Sequence, residues 1–135
     1  MAHLSLTAAA VVPLVEAALR ELREKGRRSS SRSRMDWTGR LLAWALEPRW
    51  LRSRTLPRFV PAAGSAPTDG VLEEFLKGQG EILGALQSAE SLDLEAASIT
   101  SPFNERIHYN VLSAFRILET HERRHLRQAQ AALGR

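Results

Sequence analysis

The chain contains no cysteine, which excludes disulfides, thiolate metal sites and cysteine nucleophiles together. Aromatic residues are scarce at 6%, whereas Ala, Leu, Arg and Glu are abundant, a balance that favours helices. No stretch approaches ~18 uninterrupted apolar residues, so no transmembrane helix is expected. The N-terminus lacks the basic start and long apolar centre of a signal peptide, and a soluble, cytoplasmic protein is the expectation. What is present fits one domain: 135 residues, 44% of them hydrophobic, enough for a single core. The net charge of +4 hides an uneven distribution, because residues 20–34 (RELREKGRRSSSRSR) carry seven of the nineteen Lys and Arg residues.

The hydrophobic spacing predicts helices and no strands. Over 3–25, Leu4, Leu6, Val11, Leu14, Val15, Ala18, Leu19 and Leu22 recur at helical intervals until Gly26 stops the run, and Pro13 is expected to kink that helix or break its ladder. Residues 27–34 read as a mobile Ser/Arg loop. From Asp36, a plausible N-cap, a short helix carries Trp37, Leu41, Leu42, Trp44 and Leu46. Residues 48–67 hold four prolines and read as an extended Pro-rich connector. A third helix begins near Thr68-Asp69, with Val71, Leu72, Phe75, Leu76, Ile82, Leu83 and Leu86 on one side, and Gly78, Gly80 and Gly84 either weaken it or admit a neighbouring helix. Residues 91–104 read as a linker, and Ser101-Pro102-Phe103-Asn104 as the cap of a last helix over roughly 105–132.

That last helix carries the chemistry. Ile107, Val111, Ala114, Leu118, His121 and His125 follow one another at steps of 4, 3, 4, 3 and 4, the spacing of a buried seam. His121 and His125 lie one turn apart on one face, where two imidazoles can close on one metal ion. A hydrogen-bonded core pair without metal fits the same spacing. The string His121-Glu122-Arg123-Arg124-His125 also matches the H-E-x-x-H zinc protease motif, with Glu122 as general base. The common protease families draw their third ligand from downstream, and LRQAQAALGR after His125 holds no Asp, Glu or His. His108, 13 residues before His121, would sit about 20 Å away along the same helix. His3 is then the one other imidazole, on a stripe with Leu6, Ala10 and Leu14. Three imidazoles from two helices leave coordination positions open for water or substrate.

The stretch SPFNERIHYNVLSAFRILETHERRHLRQAQA (101–131) resembles the closing helix of the DinB-like superfamily, the YfiT-type metal-dependent hydrolases, whose His-x-x-Arg-His-x-x-Gln signature falls here on His121, Arg124, His125 and Gln128. The start, AHLSLTAAAVVPLVEAAL, is similar to the family's second helix, which opens with His-Leu; Leu92-Asp93-Leu94 and the helix of Phe75 agree in style. The resemblance implies an all-α fold, a four-helix up-down-down-up bundle, with His3, His121 and His125 holding a divalent ion, nickel or zinc, beside an open pocket. It also implies a low-molecular-weight thiol (bacillithiol, mycothiol or glutathione) for members that act as S-transferases. The family has a full helix before the one that opens with its ligand histidine, and here the sequence begins two residues before His3. An N-terminally truncated bundle of about three main helices plus the Pro-rich connector is therefore expected, with an exposed seam or a partner subunit in place of the missing wall.

The expected function is a metal-dependent hydrolase or thiol S-transferase acting on a small molecule. Glu16 and Glu119 are candidates to orient the histidines, Glu122 is expected to pair with arginines of its own helix, and Arg124 either meets substrate or forms a surface ion pair. The alternative is a non-catalytic or degenerate helical module that forms a homodimer through its exposed apolar seam. No membrane partner is expected. Nucleic-acid binding through residues 20–34 is disfavoured, because that tract offers neither interleaved aromatics nor a helical face. Trp37, Trp44 and Trp50 read as core and connector packing, with Trp37 or Trp44 able to line a pocket.

Overall fold

The computed structural model describes residues 2–47 and 68–134; the expected Pro-rich connector 48–67, with Trp50, lies outside them. Among the described residues there are four helices, α1 (Ala2–Glu24), α2 (Trp37–Leu46), α3 (Thr68–Ser88) and α4 (Val111–Leu133), and a small antiparallel hairpin of β1 (Ser98–Thr100) and β2 (His108–Asn110). The chain is thus mostly helical and compatible with an α bundle, but with two strands where none were expected.

Helix α1 is the centre of the core. Val11, Val15, Ala18, Leu19 and Leu22 form its buried stripe and pack with Ala85, Leu118, Ile99 and Tyr109 in one cluster. The helix runs unbroken through Pro13, which is exposed, so its missing N–H costs no buried contact. By length and composition alone α1 would also suit a membrane span; in this fold its apolar stripe is covered by protein. Helix α3 lies beside α1 and runs the same way, since a Cβ at Gly78 would stand 3.3 Å from that of Ala8 and Arg23 donates to the carbonyl of Ser88. Gly78 is therefore the glycine that admits a helix, whereas Gly80 and Gly84 border open space. Of the apolar residues expected on one side of α3, Leu72, Leu76, Leu83 and Leu86 are exposed.

The hairpin replaces the first turns expected of the last helix. Ile99 pairs with Tyr109, and both side chains are buried. Ser101 and Asn104, expected to cap a helix, instead shape the hairpin turn: Ser101 Oγ accepts from Phe103 N–H and Asn104 Oδ1 from Arg106 N–H, the local bonds that favour turns over helix. The cap of α4 is Asn110, whose side chain accepts from Ser113 N–H at 2.9 Å.

Asp36 caps α2, as its position before Trp37 predicts, with Oδ1 accepting from Gly39 N–H at 2.9 Å. The same carboxylate joins α2 to α4. Ser113 Oγ donates to Oδ1 at 2.7 Å and accepts from Asp36 N–H, and Asn110 N–H donates to Oδ2 at 2.9 Å. Two helix starts are thus satisfied by one buried polar cluster. Leu42, Ala43 and Leu46 of α2 pack against the core, and Trp37 and Trp44 point away from it, 77% and 66% exposed. The Ser/Arg segment is tied down at its start: Arg28 bridges Leu92, Asp93 N–H donates to the Arg27 carbonyl and Ser29 N–H to that of Ser91.

Candidate metal centre

The buried seam of α4 (Val111, Ala114, Leu118) continues into His121 and His125, because steps of 3 and 4 residues keep one face toward the core. His3 stands in the first turn of α1, which packs against α4. The three imidazoles meet there. His121 Nε2 lies 3.2 Å from His3 Nε2 and 3.1 Å from His125 Nε2, and the three nitrogens all fall within 4.8 Å of one another. Each ring is edge-on to its neighbours, with centroids 4.7–5.1 Å apart. This group is close enough to hold a metal ion. A neutral imidazole carries one N–H and one ring lone pair, so His121 Nε2 is either a donor or an acceptor and cannot be both toward its two neighbours. His121 Nδ1 is buried with no hydrogen-bond partner.

The electrostatics keep α4's pair uncharged. Burial first, then His125, His3 and the Arg124 guanidinium, push His121 down from 6.5 to about 4. His125 is lowered as well, by burial first and then by His3. Neutral nitrogens are what a metal ion requires. The shift also fixes a pH dependence. Below 6.5 the unfolded chain takes up a proton at position 121 that the folded chain refuses until about 4, so stability falls with pH across that window. For a ring that keeps some solvent contact the loss is on the order of 2–3 kcal/mol. Urea midpoints of the metal-free protein should therefore decline steadily from pH 7 to 4, and the decline attributable to this site should vanish in His121→Ala. An undiminished decline in that variant would place its origin elsewhere.

Around the trio, the structure departs from several expectations. Glu122 does not pair with arginines; its Oε1 accepts from Gln79 Nε2 of α3 at 2.7 Å, which occupies the carboxylate that the protease motif would use as base. Glu119 pairs with Arg116 and Arg123 at the surface, the Arg116 bond holding its carboxyl below the ordinary value. Glu16 is exposed. Neither acts on the Nδ1 of His121. Arg124 donates to the Leu46 carbonyl at 3.2 Å, a cation at the C-terminal end of α2. His108 sits on β2, not on the last helix, where its Nδ1 lies 3.1 Å from Thr100 Oγ1. Gln79 was the residue no motif pointed to; its one signal is that it interrupts a run of leucines at heptad spacing. An open cleft of about 510 Å³ between Ser29, Arg32, Ser33, Leu94 and Arg116 shares no residue with the histidines. No family model, curated protein or solved structure matches this chain.

Proposed function

We propose that His3, His121 and His125 hold one divalent ion, nickel or zinc, and that the protein is a DinB-like metal-dependent hydrolase or thiol S-transferase acting on a small molecule in the cytoplasm. The observation that carries the reading is the convergence of three imidazole donors, with Nε2 separations of 3.2 and 3.1 Å. Two nitrogens each ~2.0–2.1 Å from a tetrahedral ion stand about 3.3–3.4 Å apart, so the spacing fits with little adjustment. An all-nitrogen set accepts several first-row ions, and nickel and zinc both suit imidazole. Such an ion supplies Lewis acidity, lowering the pKa of a water or a thiol so that a nucleophile exists near neutral pH.

The chain's own residues do the rest. Burial first, then the neighbouring imidazoles and last Arg124 disfavour the charged forms of the α4 pair. Arg124 fixes α4 against the end of α2, and the Gln79–Glu122 bond ties it to α3. With no cysteine in the chain, any thiol in the reaction belongs to a substrate or cosubstrate. The buried Nδ1 of His121, unpaired at a cost of about 1–3 kcal/mol, supports a ring retained for chemistry over stability.

The test uses protein stripped of metal and reloaded with nickel or zinc. Thiol consumption with glutathione, bacillithiol or mycothiol and an electrophilic acceptor should appear only in the loaded protein and be lost in His125→Ala, or ester and amide hydrolysis should do so. Loaded protein that does neither would overturn the catalytic reading while leaving the metal site standing.

A further inference from the structure

We infer that α3 is the face through which two copies of this chain associate, antiparallel about a two-fold axis passing near Gln79. The helix carries two apolar stripes. Phe75, Gly78, Ile82 and Ala85 form the inner one, against α1, where Gly78 meets Ala8. One residue on, and so about 100° around the helix, Leu72, Leu76, Gln79, Leu83 and Leu86 follow at steps of 4, 3, 4 and 3. That is the heptad spacing of a coiled-coil seam. The four leucines are 44%, 58%, 58% and 48% exposed.

The stripe itself argues for a second copy. A two-fold interface must be self-complementary. Reversed about Gln79, the stripe maps onto itself: Leu72 falls on position 86 and Leu86 on 72, while Leu76 falls within one residue of Leu83. No charged residue of α3 lies on it, and Glu122 of α4 meets it at Gln79. Helix α4 widens the same face, since Leu126 lies one turn beyond Glu122, the residue that accepts from Gln79, and is exposed. The leucine run extends about 21 Å and with Leu126 makes an apolar patch of a few hundred Å², the size that marks interaction sites. Two such patches face to face approach the ~1,000 Å² of a specific interface. This proposal does not depend on the metal reading.

Sedimentation velocity of the full chain tests it. Wild type should sediment as a dimer at tens of micromolar, and Leu76→Glu/Leu83→Glu as a monomer with an unchanged far-UV spectrum, association being weakened more than about a hundredfold. Trp44→Ser, on the exposed side of α2, should remain dimeric. Because the chain has no cysteine, single-cysteine variants report the orientation: an equimolar mixture of L72C and L86C should form a disulfide-linked pair under mild oxidation far faster than either alone. A monomeric wild type, a dimer that survives the double substitution, or cross-linking by each cysteine variant alone would overturn the proposal.

Discussion

Gly39→Ala should cost about 3–5 kcal/mol and lower the melting temperature by on the order of 10–15 °C. A Cβ at position 39 would stand 2.1 Å from Ser113 Oγ and 2.2 Å from its Cβ, and Ser113 is fully buried. Either Ser113 leaves its place, breaking the bonds with the Asp36 carboxylate and N–H, or α2 lifts from α4. Both outcomes leave buried polar groups unpaired. Gly84→Ala is the contrast. Its new Cβ meets nothing within 4 Å, so it should stabilise the helix by about 0.5–1 kcal/mol. Equal effects of the two, read from denaturant midpoints, would contradict the close contact of α2 and α4.

His121→Ala should weaken nickel or zinc binding by at least about a hundredfold. His121 is the central ring, 3.2 Å from one partner nitrogen and 3.1 Å from the other, and its loss leaves two nitrogens on different helices with nothing between them. Metal at 1,000 times its dissociation constant stabilises the folded state by about 4 kcal/mol, a melting shift on the order of 10–15 °C; the variant should show almost none of it. Without metal the same variant should be no less stable than wild type at pH 5, because the ring removed is one that resists protonation. His108→Ala, on the hairpin, should bind metal as wild type does. If His121→Ala keeps the full metal-induced shift, the trio is not the site.

The histidine pair was legible because two side chains four residues apart on a helix share a face whatever the tertiary context, and the seam leading into them gave that face a direction. His3 followed from the stripe it shares with Leu6 and Leu14, although Leu6 and Leu14 prove more exposed than that stripe implies. Asp36 was legible as a cap for the same local reason. The hairpin was not. Strands of three residues are too short to show alternation, and Ile107, one residue before β2, happens to fall in phase with the α4 seam. The last helix therefore seemed to begin several residues early, carrying His108 with it. On α3 the two stripes differ by a single residue, so composition shows a broad apolar side without showing which half meets α1. The Gln79–Glu122 bond is a tertiary contact between residues 43 positions apart, which no local pattern encodes.

The fold and the site fit one physical account. Capping at Asp36 and Asn110 fixes where α2 and α4 begin, the α1 stripe fixes how α1 lies on α4, and together they deliver three imidazole nitrogens to one point. The measurement that tests this most directly is elemental analysis of the full chain after metal stripping, dialysis against excess zinc or nickel, and gel filtration. The account predicts one ion retained per chain, and none in His3→Ala, His121→Ala or His125→Ala. Wild-type protein that emerges metal-free, or an ion still retained when any of these three rings is removed, would contradict it.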